Sequence, residues 1–217
     1  MRKLFTAIAL FLATFTASSQ VILDNATIEE IVKNEKSYYN DILNLYLNDD
    51  PFLRVDDIAL VYYGQAFMPQ YNPGGDENEK ALKKFFEEDN YAEAYKTAKK
   101  ILEYNPVSLN ALFNLIKTSK ALNKSEEEYN SYVKKYLGII DMIAQYGDGK
   151  SSKSAFRIIT PDDQDYVLFG KLGVGKVITQ EFDRETLCNM VIVEPTQEFQ
   201  SRRVYFDLTL FLTHVSE

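Results

Sequence analysis

The sequence predicts an α+β fold, with helical hairpins followed by a small C-terminal antiparallel β-rich domain. From residue 26 to residue 146, apolar side chains recur at spacings of three and four, as on one face of a helix. After residue 147 the chain consists of short segments rich in Val, Ile, Phe and Tyr, separated by Gly, Pro and Asp, which is typical of strands. We therefore expect a helical, repeat-like domain over residues 20–146 and a β-rich domain over residues 147–217.

The first residues have the pattern of an export signal. Two basic residues open the chain, the apolar run Leu4 to Phe15 follows, and the small residues Ala17 and Ser19 precede Gln20. The run is too short to cross a bilayer stably, so we expect no stable membrane span after cleavage. Residues 1–19 are thus predicted to be a signal peptide, and the mature protein is predicted to be periplasmic or extracellular.

Composition limits the classes of function. With 46% hydrophobic residues, the chain can bury a core, and its net charge of −8 argues against a nucleic-acid partner. Neutralising phosphates requires clustered Lys and Arg, which an acidic chain does not favour. The one cysteine, Cys188, cannot form an internal disulfide, so packing must stabilise the fold.

Breaks at Pro and Gly divide the helical part. Thr27 and Glu30 form a predicted capping box at the start of a helical stretch. The segment "NDDP", which closes with Pro51, is predicted to end that stretch. A second helix fits residues 56–67. Gly64 inside it costs roughly 1 kcal/mol relative to Ala and therefore predicts a close contact or a bend.

Residues 75–145 resemble two degenerate tetratricopeptide units. The segment "NYAEAYKTAKKILEYNP" is similar to the second helix of such a repeat, with Tyr91 and the closing Pro106 in their expected places. The second unit departs from the pattern, since Glu128 replaces the packing Ala and Ile140 replaces the closing Pro. The alternative is an ordinary helical bundle with the same short loops.

The last third of the chain is predicted to form four or five strands. Because the connections between them are short, we expect these strands to pair antiparallel. The segments are "AFRII", "DYVLFG", "KVITQEF", "TLCNMVIVEP" and "RRVYFDLTLFL". The Gly-rich segment Gly170 to Val177 is predicted to be a hairpin turn.

Two segments resemble the end of a phosphate-binding P-loop, but each lacks a required residue. In "YGDGKSS" the first Gly is replaced by Ala144, and in "GKLGVGKV" the hydroxyl that would meet magnesium is replaced by Val177. We therefore expect no nucleotide and no other cofactor. Gly147 or Gly149 is instead expected to end the preceding helix in the left-handed conformation.

Most of the chain resembles a family of exported bacterial proteins known only as a domain of unknown function. The residues that carry this resemblance are "VYYGQAFMPQYNP" from Val61, "GDGKSSKSAF" from Gly147, "DYVLFG", and "VYFDL" from Val204. The resemblance implies export of a chain of this architecture, and it implies no activity.

The aromatic cluster "VYYGQAFMPQY" is the candidate binding surface. Tyr62 and Tyr63 are adjacent in a predicted helix, so we expect one ring to enter the core and the other to face outward, together with Tyr71. The partner would be a protein, a peptide or a glycan. The alternative is that all these rings belong to the core.

The favoured function is a non-enzymatic binding or scaffold protein, and the alternative is a hydrolase of envelope or extracellular polymers. The hydrolase would use a pair of carboxylates from the C-terminal part as acid and base. The candidates are Asp162, Asp163, Asp165, Glu181 and Asp183. We expect no metal site, because His214 is the only histidine and the calcium-loop spacing is missing.

Cleavage of the signal peptide can be tested directly. The exported protein should begin at Gln20, because Ala17 and Ser19 place small side chains where the signal peptidase requires them. Intact-mass measurement of the exported protein checks this. A chain that still begins at Met1 and fractionates with the membrane would contradict the prediction.

Overall fold

The structure is a computed structural model that describes residues 24–215, with side chains through Thr213; the predicted signal peptide, residues 1–19, lies outside this range. The described chain has a helical part followed by a small four-stranded, mostly antiparallel sheet, which confirms the predicted α+β class. The helices of the first part are α1 (Asn25–Asn34), α2 (Lys36–Leu47), α3 (Val55–Gly64), α4 (Glu77–Glu87), α5 (Tyr91–Tyr104), α6 (Leu109–Ala121) and α7 (Glu126–Tyr146). The second part contains β1 (Phe156–Arg157), α8 (Asp163–Gly170), β2 (Val177–Asp183), β3 (Cys188–Val193), β4 (Arg203–Asp207) and α9 (Thr209–Val215).

The first helical stretch begins earlier than predicted and is divided in two. The cap of α1 is Asp24, whose carboxylate accepts a hydrogen bond from the Thr27 amide at 2.7 Å. The predicted capping box at Thr27 and Glu30 is therefore wrong, because Asp24 is the N-cap and satisfies the free amide of Thr27, the third residue of the helix. Glu35 separates α1 from α2.

Helix α3 lies at the centre of the molecule. Every residue from Ala59 to Ala66 is buried, which is the property of a helix covered on all sides. A Cβ added to Gly64 would lie 2.9 Å from the Tyr39 ring and 3.1 Å from the Val32 side chain. The close contact predicted at Gly64 is therefore confirmed: only a glycine lets α1 and α2 approach α3 this closely.

Helices α4 to α7 pack in chain order, each against the next. Their connections are short, and side chains cap the helices that follow: Asn90 caps α5, Ser108 caps α6 and Ser125 caps α7. Asp89 and Asn123 adopt positive φ angles just after α4 and α6, where short polar side chains tolerate the left-handed conformation. Local sequence therefore determines where each of these helices begins and ends.

The sheet has the strand order β1-β4-β3-β2. The pairs β2–β3 and β3–β4 are antiparallel, whereas β1 pairs with β4 in parallel, which corrects the expectation of a wholly antiparallel sheet. Parallel pairing is possible because the long segment between β1 and β4 acts as a crossover. Strand β2 forms an exposed edge, and its register against β3 shifts between Val177 and Thr179, which marks a β-bulge.

The end of the segment "RRVYFDLTLFL", which was predicted to be a strand, forms helix α9. Two further predicted strand features are also wrong. The segment "DYVLFG" forms helix α8, because Pro161 and the acidic residues Asp163 and Asp165 supply helix-start signals that outweigh its β-forming composition. The Gly-rich segment before β2 therefore follows a helix and is not a hairpin turn. The turn of the β2–β3 hairpin follows Asp183, which accepts a hydrogen bond from the Glu185 amide at 2.9 Å.

The segment that resembles a P-loop connects α7 to the sheet. Gly149 has a φ of 65°, donates its amide to Ser154 O at 2.8 Å and accepts the Tyr205 amide at 2.9 Å. The left-handed conformation is found at Gly149, three residues after α7 ends at Tyr146, so the prediction that a left-handed glycine ends this helix is wrong. Gly147, immediately after the helix, is extended.

One cluster of buried side chains extends from Ile28 to Leu210 and includes residues from both parts of the described chain. The division of the chain at residues 146 and 147 therefore stays a prediction. Across the described residues, every helix is too short or too polar to serve as a membrane span.

Replacing Gly149 with Ala should destabilise the fold. The left-handed backbone alone would cost roughly 1–3 kcal/mol. The new Cβ would also lie 2.2 Å from the Phe156 ring. Gly175→Ala is the matched control, since an added Cβ there meets no atom within 4 Å. Urea unfolding should show a loss for Gly149→Ala and little change for the control; equal stability of the two variants would contradict this role for Gly149.

Candidate functional site

The structure places both tyrosines of the predicted binding pair in the interior. Tyr62 and Tyr63 on α3 are each 0% exposed. The prediction that one of them faces outward is wrong, because α3 is covered on all its faces by other elements. Tyr71, in the loop after α3, is half-buried.

The three tyrosines nevertheless come together on one segment, which runs from Arg157 to Asp163 and joins β1 to α8. Tyr62 donates its hydroxyl to Asp163 Oδ2 at 2.8 Å and accepts the Ile159 amide at 3.3 Å. Tyr71 donates to the carbonyl of Ile159. The tyrosines thus attach the C-terminal part of the chain to the central helix.

Tyr63 reaches the start of the same segment. Its hydroxyl donates to the Arg157 carbonyl at 3.3 Å, and the Arg157 guanidinium stacks 3.8 Å from the centroid of its ring. This cation–π contact packs the half-buried Arg157 on a fully buried ring. We define the contacts of Tyr62, Tyr63 and Tyr71 with residues 157–163 as the tyrosine junction.

Asp163 is the titratable group at the centre of the tyrosine junction. It is buried, and burial raises its pKa to about 7 although hydrogen bonds from Tyr62 and Thr160 act in the opposite direction. Burial likewise raises the pKa of the Tyr62 hydroxyl, and the neighbouring Asp163 adds to that rise. Near neutral pH the carboxyl therefore changes between neutral and charged inside the protein.

A second carboxyl, Glu79, lies half-buried on α4. Glu79 accepts hydrogen bonds from Ser108 Oγ at 3.1 Å and from the Asn110 side-chain amide, and burial raises its pKa. Tyr166 on α8 donates to Asn110 Oδ1 at 3.2 Å. The sequence gives no signal for this role of Glu79, because a glutamate in the first turn of a helix is usually exposed and stabilises the helix dipole.

The other carboxylates proposed for a hydrolase are exposed. Asp183 accepts hydrogen bonds within the β2–β3 turn, from the Glu185 amide and the Thr186 hydroxyl. Asp162, Asp165 and Glu181 are exposed. Among the side chains that the structure describes, which end at residue 213, those of Cys, Asp and Glu form no group of three or more that could hold a metal ion.

Phe52 is the most exposed large apolar side chain of the described residues, with 86% of its surface open to solvent. It lies in the loop between α2 and α3, and α7 holds this loop in place. Lys134 Nζ donates to the Asp49 carbonyl at 2.5 Å and Lys135 Nζ to Asp49 Oδ1 at 2.6 Å. Asp50 Oδ1 also accepts the Phe52 amide at 2.8 Å, which restrains the backbone of Phe52 itself.

A surface groove of about 650 Å³ opens between this loop and the N-terminal half of α7. Its lining residues are Asp49, Ser125, Glu127, Glu128, Asn130, Ser131 and Lys134. We call Phe52 and this groove together the Phe52 surface. Phe52 was not among the predicted binding residues, although a large apolar residue directly after Pro51 in an acidic turn is a sequence signal that could identify it.

These contacts define an α+β protein in which buried tyrosines join a helical part to a small sheet, and in which one loop presents an aromatic side chain to solvent. The chain belongs to the family described as a domain of unknown function (DUF4919), whose profile matches residues 26–216. The resemblance to a family known only as a domain of unknown function is thereby confirmed. No curated protein and no solved structure matches the chain.

Stability should fall as pH rises, in part because of Asp163. Burial raises its folded-state pKa from 3.8 to about 7, so the folded protein favours the protonated carboxyl. The corresponding stability is complete below the ordinary pKa and is lost as pH rises through about 7. The loss is on the order of 4 kcal/mol for a shift of this size.

Urea unfolding between pH 4 and pH 8 tests this effect, because the decline runs from the ordinary pKa of 3.8 to about 7. Asp163→Asn keeps an oxygen that accepts the Tyr62 hydroxyl but cannot ionise, so it should remove most of the decline. Asp162→Asn, at the exposed neighbour, should keep the decline of the unmodified protein. An unchanged pH dependence in Asp163→Asn would show that the carboxyl does not titrate in this range.

Proposed function

We propose that the protein is an exported, non-enzymatic binding or scaffold protein that engages its partner through the Phe52 surface. The observation that carries the proposal is an aromatic side chain that is 86% exposed yet lies on a loop held by two lysines of α7. Aromatic side chains bury a large area on binding and commonly dominate interface energies. Because the loop is already restrained, little conformational entropy is lost when a partner covers the ring.

The arrangement of α4 to α7 supports the tetratricopeptide-like part of the proposal. Helices α4 and α6 begin 32 residues apart, at 77 and 109, and helices α5 and α7 begin 35 residues apart, at 91 and 126. Both distances are close to the period of about 34 residues in tetratricopeptide repeats. Such stacked helical hairpins commonly present extended surfaces to partners.

Export is supported by the signal pattern of residues 1–19. The hydrolase alternative gains no support from the carboxylates, because Asp163 is bonded to Tyr62 in the interior and Asp183 stabilises a hairpin turn. We therefore retain the binding function alone.

Site-specific photocrosslinking in producing cells tests the proposal. With the photoreactive residue benzoylphenylalanine in place of Phe52, irradiation should give a discrete adduct, because a partner would cover this side chain. Phe169 is the control position: it is 50% exposed and lies on α8, near the opposite end of α7, where Lys171 pairs with Asp141. Position 169 should give no such adduct. No adduct at position 52, or the same adduct at both positions, would overturn the proposed surface.

A further inference from the structure

We infer that helix α8 is a pH-sensitive latch, which lies closed against α6 and α7 while Asp163 is protonated and opens locally when Asp163 loses its proton to solvent. The latch uses none of the residues of the Phe52 surface, so it goes beyond the proposed binding function. It follows from a short helix that depends on its neighbours, and from the carboxyls on which its polar contacts end.

Helix α8 has little stability of its own. It is eight residues long, which is shorter than the isolated helices that persist in water, and its N-cap residue Asp162 makes no capping hydrogen bond with its side chain. The residues that it buries are Asp163, Val167 and Leu168, whereas Phe169 is exposed. Loss of a buried contact can therefore release this helix while the other helices stay folded.

Two polar contacts attach the N-terminal half of α8 to the helical part, and each reaches a carboxyl whose pKa burial raises. Asp163 accepts the hydroxyl of Tyr62, on α3, at 2.8 Å. Tyr166 donates to Asn110 Oδ1, on α6, at 3.2 Å, and the Asn110 amide in turn donates to Glu79 on α4. A rise in pH therefore places unfavourable charge at both attachments.

The groups that act on Asp163 from the surrounding elements are mostly tyrosine hydroxyls. They come from α3, the loop after it, α7 and α8, and they are Tyr62, Tyr71, Tyr136 and Tyr166. Burial raises the pKa of each hydroxyl, so all four are neutral near pH 7. The neighbouring Asp162 is a like charge that raises the pKa of Asp163 further, and the dipole of so short a helix favours the charged carboxyl only slightly.

The cations of this region have other contacts. Arg157, at the start of the segment that leads to α8, stacks on the Tyr63 ring. Lys117 on α6 lies 5.2 Å from the centroid of the Phe113 ring. Lys171, at the far end of α8, pairs with a carboxylate of α7 at 2.7 Å. Burial of Asp163 is therefore offset by hydrogen bonds and not by a close ion pair.

Opening of α8 uncovers an aromatic face of α6 and α7. The Tyr166 ring lies 5.7 Å from that of Phe113 and 6.2 Å from that of Tyr136, between ring centroids. Tyr136 is buried and Phe113 is half-buried while α8 is closed. The latch therefore controls how much apolar surface this part of the molecule presents to solvent.

The direction of the pH effect follows from the two states. The closed state favours the protonated carboxyl, with a pKa of about 7, whereas the carboxyl of the open state is solvated and has its ordinary pKa of 3.8. The equilibrium constant for opening should therefore rise by up to about tenfold per pH unit between these values and level off above about pH 7.

Thiol labelling of the folded protein with dithiodipyridine measures this opening. Val167→Cys reports on α8 and Ala98→Cys on α5, since both positions are 0% exposed, and Cys188→Ala removes the native thiol from both variants. Each rate is divided by the rate of the same variant unfolded in urea, which removes the pH dependence of the thiol itself. The normalised rate at position 167 should rise about tenfold from pH 5 to pH 6. It should also exceed the rate at position 98 by about tenfold or more at each pH, because α8 opens without global unfolding.

Two controls separate the latch from global unfolding and from other titrating groups. Low concentrations of urea should hardly change the rate at position 167, because local opening exposes little surface, but should increase the rate at position 98. Added to Val167→Cys, Asp163→Asn should abolish the rise with pH, whereas Asp162→Asn should keep it. Equal normalised rates at positions 167 and 98, equal urea dependence, or an unchanged rise in Asp163→Asn would overturn the inference.

Hydrogen exchange of the unmodified protein gives an independent measurement that does not depend on how well a cysteine is tolerated at position 167. After correction for intrinsic exchange rates, protection of the amides of residues 164–170 should fall about tenfold from pH 5 to pH 6 and stay below that of α5. Protection of α8 equal to that of α5 would overturn the latch.

Discussion

The buried hydrogen bond between Tyr62 and Asp163 is the contact on which the joining of the two parts of the chain depends. It connects residues 101 positions apart, one on the central helix and one at the start of α8. A buried carboxyl without a partner is strongly unfavourable, so packing of α8 against the helices requires that the Tyr62 hydroxyl meet it. The same contact places the preceding segment, with β1, against α3, and β4 pairs with β1 beside it.

The features that local sequence determines were predictable, and those that depend on distant elements were not. Periodic apolar positions and polar caps predicted α4 to α7, because both signals act within a few residues. The segment "DYVLFG" contains two conflicting local signals. Its composition predicts a strand, whereas its acidic start predicts the first turn of a helix, and the structure has a helix there. The parallel pairing of β1 is with β4, whose residues lie about fifty positions further along the chain. Local sequence patterns therefore cannot predict it.

The candidate site illustrates the same limit. Adjacency in a helix predicts that Tyr62 and Tyr63 point in different directions, which leaves open whether other elements cover both directions. Here they do, so the tyrosines hold the interior together, and a phenylalanine in a turn is the aromatic side chain that solvent reaches. Phe52 stays outside because lysines of α7 determine the course of its loop, a contact that joins residues more than eighty positions apart.

The bulged edge of the sheet has a consequence for solubility. An open edge strand with exposed Ile178 and Phe182 would ordinarily invite strands from other molecules and lead to ordered aggregates. The bulge interrupts the regular spacing of free backbone groups, and Glu181 and Asp183 would bring like charges together in stacked copies. At the other edge, β1 is only two residues long. Both edges of the sheet are therefore poorly suited to serve as templates for strands of other molecules.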